Sequence, residues 1–113
     1  MTPSKFIGLL FQSRDAMHLT HLNTTSYAEH KALDQYYKEI IELTDNFTEV
    51  YFGRNSRIAI VIPESKVLDS VSHLTDLRST IDAERSVFQS EMQNIIDEIL
   101  GLIDQTLYLL TLT

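Results

Sequence analysis

Apolar residues recur along the chain at intervals of three and four positions, which is the pattern of helices that bury one face. We predict four such helices, at about residues 4–22, 27–52, 64–88 and 91–110. Their candidate core residues are Phe6, Leu9, Leu10, Met17 and Leu19; Leu33, Tyr36, Ile40, Leu43, Phe47 and Tyr51; Val67, Leu68, Val71, Leu74, Leu77 and Ile81; and Met92, Ile95, Ile96, Ile99, Leu102, Ile103 and Leu107.

Two helix starts have a local signal in the sequence. Ser26 and Glu29 have the spacing of a capping box, in which the serine accepts from the backbone and the glutamate reaches back. Ser90 and Gln93 repeat that spacing before the fourth helix. Gly53 is a common kind of residue at a helix C-terminus, so we expect the second helix to end there.

The connection between the second and third helices is longer than the other two. Residues Ile58–Ile62 are β-branched or small and predict extended chain. Ten extended residues reach about 33 Å, and the second helix is about 40 Å long. The first and third connections are short and the second is long. This order predicts an all-α fold, a ferritin-like four-helix bundle with a long crossover between helices two and three. An up-down-up-down bundle with a loose middle loop is the alternative.

The composition of the chain argues against several classes of protein and of chemistry. The 113 residues suit a single domain, 1–113, and the absence of cysteine excludes disulfides and thiolate chemistry. The net charge is −7 and the basic residues are scattered, so we expect no nucleic-acid binding. No apolar run reaches the roughly 20 residues of a membrane span. We therefore expect a soluble, cytoplasmic protein without membrane contact.

The second helix has a polar face nearly opposite its apolar stripe. At 100° per residue, His30, Asp34, Asp45 and Glu49 fall within an arc of about 100°. Tyr37 and Ile41 lie in the same arc, between the two polar pairs. A solvated face would more readily have lysine and glutamate at those positions, so this face is expected to be covered.

One helix cannot bring both polar pairs to one metal ion. Asp34 and Asp45 are about 16 Å apart along the axis, whereas metal–ligand bonds are near 2 Å. A second copy of the helix, antiparallel across a two-fold axis between Glu39 and Ile40, brings Asp34 opposite the partner's Asp45. The same axis brings His30 opposite the partner's Glu49.

His21 lies at the end of the first helix, close to the start of the second. The predicted site therefore combines His21, His30 and Asp34 of one chain with Asp45 and Glu49 of another. Imidazole and carboxylate ligands suit iron, with manganese or zinc also possible. Without metal, the same residues would form a polar dimer interface or a solvated face.

These five positions resemble the signature of the miniferritins, or Dps-like proteins. His21 matches the first position, "HKALD" supplies His30 and Asp34, and "DNFTE" supplies Asp45 and Glu49. The resemblance covers residues 14–52. It implies a ferroxidase that binds iron(II) between subunits, oxidises it with oxygen or peroxide, and stores it in a homo-oligomer of up to twelve subunits.

The stretch "SYAEHKALDQYY" looks in particular like compact bacteriophage-borne miniferritins of unassigned role. A phage setting would place the protein in the host cytoplasm or the virion. The aromatic residue that commonly follows the first histidine is Leu22 here, and no basic tail is present, so DNA binding is not implied. The alternative is a non-catalytic phage structural or interaction protein; an acidic mimic of nucleic acid is a weaker one.

Some residues have a structural interpretation beside a functional one. His18 lies one turn before His21 and is within reach of the same site. His73 is expected at the surface or the core edge, and Tyr36 and Tyr37 are expected to pack. The apolar end "TLYLLTLT" predicts either burial by neighbouring subunits or a partner-binding surface.

Overall fold

Four α-helices account for most of the chain. The computed structural model describes all 113 residues, with α1 at Pro3–Asn23, α2 at Tyr27–Arg54, α3 at Ser70–Glu84 and α4 at Ser90–Leu110. A short 3-10 helix, Arg85–Val87, follows α3, and no strand is present. No helix combines the length and the apolarity that crossing a membrane requires. The prediction of an all-α fold is confirmed.

The start of α2 depends on Ser26, as predicted. Its Oγ accepts a hydrogen bond from the backbone N–H of Glu29 at 3.2 Å. The returning half of the capping box is absent, because the Glu29 carboxylate accepts from the Ser70 hydroxyl on α3. The predicted end at Gly53 is one residue early, since α2 continues to Arg54.

The start of α3 was predicted about six residues too early. The helix begins at Ser70, where the Asp69 carboxylate caps it by accepting from the N–H of Ser72 at 2.9 Å. Val67 and Val71, expected in the core, are 47% and 49% exposed. An aspartate at the N-cap satisfies free backbone donors, which explains why the helix begins here.

The second predicted capping box, Ser90 with Gln93, is also wrong. Gln89 is the N-cap of α4 and has no side-chain cap, while Ser90 is already the first helical residue. The Gln93 amide donates to the carbonyl of Phe88 at 2.9 Å, which holds the preceding turn. The third helix ends at Glu84, before the predicted limit at residue 88.

Residues 55–69 cross from the end of α2 back along the whole of α1. Three α1 side chains bind carbonyl oxygens of this crossover, and the pairs are Ser4–Ala59 at 2.5 Å, Gln12–Glu64 at 3.0 Å and Thr20–Leu68 at 2.7 Å. The Thr20 hydroxyl also accepts from the N–H of Leu68. Three carbonyls and one N–H of the crossover are thus bonded to α1 side chains, which helps to hold it extended.

The crossover touches α1 most closely at Gly8. A Cβ atom on Gly8 would collide with the carbonyl oxygen of Val61. The absence of a side chain at Gly8 lets the two backbones approach, which is a common use of glycine. The stretch Ile58–Ile62 is therefore extended chain packed on a helix, and forms no edge strand.

The crossover sets the direction of the last two helices. The Glu29–Ser70 hydrogen bond places the start of α3 beside the start of α2, and Arg54 pairs with Glu91 at 3.3 Å where α2 ends and α4 begins. Thus α2 and α3 point one way, and α1 and α4 the other. The helices pack in the ring α1–α2–α4–α3. Because α2 and α3 are parallel, the bundle is not the up-down-up-down alternative.

The core follows the predicted stripes on α2 and α4. Leu33, Tyr36, Ile40 and Phe47 are fully buried, whereas Leu19 of α1 is 39% exposed and was wrongly assigned. Where α2 ends, three buried rings lie with centroids 4.9–5.2 Å apart. We call them the phenylalanine cluster: Phe6, Phe47 and Phe88.

Candidate functional site

His21 and His30 face each other across the short turn between α1 and α2. The Nδ1–H of His21 donates to the carbonyl of His30 at 2.6 Å, and the Nδ1–H of His30 donates to the carbonyl of His21 at 2.8 Å. The rings are stacked, with centroids 3.8 Å apart. Because a carbonyl only accepts, both Nδ1 atoms have the proton, so in the neutral rings the Nε2 lone pairs are not used by these bonds.

Asp34 lies one turn after His30 on α2. One carboxylate oxygen is 4.0 Å from Nε2 of His21 and accepts from the hydroxyl of Tyr37 at 3.2 Å. Lys38 donates to the other oxygen at 3.1 Å. The Lys38 ammonium, helped by the Tyr37 hydroxyl, holds the pKa of Asp34 below its usual range. Asp34 is therefore a carboxylate at neutral pH and forms an ion pair with Lys38.

Tyr37 also packs against α1. Its ring stacks on His18 with centroids 4.0 Å apart, and the Arg14 guanidinium lies 5.4 Å from the ring centre. Burial, and then the charge of Arg14, lower the pKa of His18, so its neutral form is favoured. The sequence interpretation of Tyr37 as a packing residue missed its hydrogen bond to Asp34. We call this group the histidine cluster: His18, His21, His30, Asp34 and Tyr37.

Asp45 and Glu49 lie near the other end of α2. Both are exposed, and with Phe11, Thr48 and Phe52 they line a cavity of about 260 Å³. No three His, Asp or Glu side chains of one chain are grouped closely enough to hold a metal ion. The structure thus brings His21, His30 and Asp34 to one end of α2 and leaves Asp45 and Glu49 at the other.

The outer face of α2 has a regular pattern that the sequence interpretation missed. Eight positions follow one another at alternating steps of four and three residues, which is the spacing of helices that pack at a shallow angle. Ile41 and Phe52 among them are half-buried and lie outside the core cluster. We call these positions the α2 seam: Tyr27, Lys31, Asp34, Lys38, Ile41, Asp45, Thr48 and Phe52.

A separate polar group lies inside the bundle. The hydroxyls of Tyr36 and Ser13 are 2.7 Å apart, and Nε2 of His73 is 2.8 Å from the Ser13 hydroxyl. Burial raises the pKa of Tyr36 and lowers the pKa of His73. No buried side-chain polar atom lacks a partner, so this group is a satisfied part of the core. The expected place of His73 at the core edge is confirmed.

Comparisons with known proteins give a family and a relative. Residues 21–110 match the family described as "Family of unknown function (DUF5856)". The chain is 34% identical over 119 aligned positions to the "Uncharacterized 14.6 kDa protein in mobD-ri intergenic region" of Enterobacteria phage T4. That alignment covers 97% of this chain and 91% of the relative, which supports a phage origin. No solved structure matches the chain.

Proposed function

The chain belongs to the family of unknown function (DUF5856), and we propose that it is a miniferritin-like iron-binding protein on a ferritin-like bundle. Its substrate is iron(II), which it binds, oxidises and sequesters between paired copies of the chain. The observation that supports this function best is the reciprocal bonding of His21 and His30. It leaves the Nε2 atom of each ring out of these bonds, and that of His21 lies 4.0 Å from the Asp34 carboxylate.

Within one chain these side chains are not close enough to hold an ion, but the chemistry of their donor atoms suits a first-row metal. Metal-binding histidines commonly donate their second N–H to a backbone carbonyl, as both histidines do here, and this fixes the ring and the tautomer. Nε2 of His21 and Oδ1 of Asp34 are 4.0 Å apart. An ion with bonds of about 2.0–2.2 Å would fit between two such atoms after a small movement. Two imidazoles and carboxylates suit iron, manganese or zinc.

The α2 seam supports a site completed by a second chain. Across a two-fold axis between Glu39 and Ile40, every seam position lies opposite another seam position. Asp34 then faces the partner's Asp45, at two equivalent places. Two carboxylates in contact repel one another unless a cation lies between them. An interface with this register therefore calls for a cation at Asp34, which Lys38 supplies within one chain and a metal ion beside the histidines would supply in the proposed site.

The roles of the chain's residues follow from their contacts. His21, which is 6% exposed, would keep water from one side of the ion, and Tyr37 would orient Asp34 through its hydroxyl. Asp45 and Glu49 would add negative charge that favours the iron(III) product. Bound iron supplies the electron that passes to oxygen or peroxide. In the metal-free chain, Lys38 neutralises Asp34 instead.

Complementation between two variants tests this proposal. Asp34→Ala and Glu49→Ala should each abolish iron(II) binding and iron-dependent peroxide consumption, while Glu98→Ala, an exposed acid on α4, should change neither. Co-expression of the two variants should restore about a quarter of the wild-type sites, because half of the dimers are mixed and each has one intact site. Binding within one chain would give no restoration and would refute the inter-subunit site.

Metal content tests the proposal independently. Protein purified without chelator is expected to contain iron, zinc or manganese, measured on the same sample as its mass in solution. If that sample contains none of these metals and iron(II) titration gives no binding, the proposed function is wrong.

The second candidate is a non-catalytic phage structural or interaction protein that uses the same paired face. The Lys38–Asp34 ion pair favours it, because it already neutralises the carboxylate without metal. This candidate predicts an unchanged assembly after chelation, no oxidation of iron(II), and tolerance of Asp34→Ala. A loss of assembly on chelation would exclude it.

A further inference from the structure

Tyr27, the first residue of α2 and of the α2 seam, has little of its ring covered by its own chain. It is 76% exposed, and its ring centroid lies 6.3 Å from that of His30 in the histidine cluster. Large aromatic rings contribute most of their stabilisation when they are covered, and a tyrosine suits a surface where its ring is buried and its hydroxyl meets polar groups. Tyr27 therefore has the chemistry of an interface residue.

The other end of the same seam has a cavity suited to such a ring. Phe11 of α1 and Phe52 of α2 form its apolar walls, and Asp45, Thr48 and Glu49 are its polar part, around about 260 Å³. An aromatic side chain would pack against the two rings, and its hydroxyl would have carboxylates to donate to. Phe11 also packs against the core of the bundle, whereas Tyr27 and Phe52 take no part in it.

Distance prevents Tyr27 from reaching the cavity of its own chain. The cavity lies at the far end of α2, where its lining from Asp45 to Phe52 is about 27–38 Å along a continuous helix from Tyr27. A second copy of the chain removes this difficulty. Tyr27 and Phe52 lie at equal distances in sequence from the two-fold axis between Glu39 and Ile40, so antiparallel pairing puts each Tyr27 opposite the partner's Phe52.

The spacing of the seam keeps these ends in contact. Helices that pack through positions at alternating steps of three and four cross at a shallow angle and stay together over several turns. A steep crossing would join only the middle, near Ile41, and would separate the ends. The seam has the alternating spacing over its whole length, from Tyr27 to Phe52.

We infer that Tyr27 docks into the Phe11–Phe52 cavity of a second copy of the chain. Two such contacts, one at each end of the paired helices, anchor the dimer. Each also covers the side of a histidine cluster that its own chain leaves open, because Tyr27 lies beside His30. The inference rests on the pairing in the proposed function, and adds to it the residues that hold the pair together.

Engineered cysteines give a test of the register, since the chain has none of its own. The double variant Tyr27→Cys with Phe52→Cys should form a covalent dimer on mild oxidation. The two thiols of one chain are too far apart to react with each other, and each single variant should remain non-covalent. A covalent dimer from either single variant, or none from a double variant that is still dimeric, would overturn the inference.

The strength of the dimer gives a second test. Tyr27→Ala should raise the dissociation constant of the dimer at least about ten-fold, as expected for a buried aromatic anchor. Sedimentation at several protein concentrations measures this constant. Tyr27→Phe keeps the ring and loses only the hydroxyl, so its effect should be smaller than that of Tyr27→Ala. Tyr108→Ala, which removes a ring 63% exposed on α4, should have no effect. Circular dichroism would show whether each variant is folded.

The outcomes separate this inference from the proposed function. If Tyr27→Ala forms a dimer of normal strength that still binds iron(II), the anchor is wrong and the proposed function stands. If the wild-type chain is monomeric both with and without iron(II), the pairing is wrong, and the inter-subunit site is refuted with it.

Discussion

The two ends of the bundle each contain a cluster of rings, and they differ in chemistry. In the phenylalanine cluster all three rings are at most 6% exposed and pack against one another. In the histidine cluster the rings are packed at least as closely, with His21 and His30 3.8 Å apart, yet they bond to backbone carbonyls and border a carboxylate. One end uses its rings for packing alone, whereas the other keeps lone pairs free.

Close packing of aromatic rings therefore does not by itself identify a functional site. Buried carbon rings contribute through apolar area and close contacts. A closely packed imidazole ring must also give its N–H group a hydrogen-bond acceptor. The position of that acceptor determines which ring nitrogen can bind a ligand. Substitutions at the phenylalanine end should therefore change mainly stability, and substitutions at the histidine end mainly binding.

The largest effect is expected from Phe47→Ala. Phe47 is fully buried between Phe6 and Phe88, so its truncation should lower the free energy of unfolding by about 3–5 kcal/mol. Urea denaturation measures this loss. Iron(II) bound per folded molecule should stay unchanged, because the histidine cluster lies at the other end of α2. Weaker iron(II) binding by fully folded Phe47→Ala would show that the two ends of the bundle are coupled.

A smaller loss of stability, with a complete loss of binding, is expected from His21→Ala. It removes the donor to the His30 carbonyl, at a cost of about 1–3 kcal/mol. His21→Asn offers an N–H near the same place but no second nitrogen, so it should recover stability without iron(II) binding. Leu22→Ala, at a side chain 66% exposed, is the neutral control. Normal binding by His21→Asn would contradict the assigned ligand.

A modest effect on pH dependence is expected from His73→Gln in the middle of the bundle. Burial lowers the pKa of His73 from its usual 6.5, so the unfolded chain takes up a proton at higher pH than the folded chain. Stability should thus decline as pH falls through 6.5 towards the lower folded pKa. Glutamine does not titrate, so the decline in unfolding free energy should be shallower. Tyr36→Phe, which removes a hydroxyl of the same group, should keep the wild-type slope.

The smallest effect is expected from Lys38→Met at the histidine end. The ammonium that occupies Asp34 is exposed, so its removal should raise iron(II) affinity only about two-fold. Lys31→Met, at the neighbouring seam lysine, is the matched control. Calorimetric titration with iron(II) under argon measures the difference. Weaker dimerisation with unchanged affinity would instead identify Lys38 as the cation of a metal-free interface.

Much of the fold could be predicted because local patterns agree with it. Ser26 caps α2 with its own side chain, and the stripe from Leu33 to Phe47 fixes the buried face. The start of α3 was missed because Pro63 and the apolar residues after it are compatible with a helical turn. The crossover stays extended because distant α1 side chains, such as Thr20, bind its backbone, and local sequence does not contain that information.

The candidate site was only partly predictable for the same reason. Spacing identifies His30 and Asp34 as neighbours on one face of α2, and the length of the helix separates them from Asp45. The tautomers of the histidines depend on carbonyls met across a turn, which periodicity cannot supply. The seam from Tyr27 to Phe52 has alternating steps in the sequence, but it mixes charged, polar and apolar residues, so hydrophobic periodicity does not mark it.

The crossover on α1 also has a consequence for the order of folding. Its contacts join residues far apart in sequence, 55 positions for Ser4 with Ala59 and 48 for Thr20 with Leu68. Closing such long loops costs chain entropy before any contact offsets it. The α1–α2 hairpin, whose helices are joined by a short turn, can form first. A newly made chain would thus have an exposed strip along α1, around Gly8, until residues 55–69 dock there.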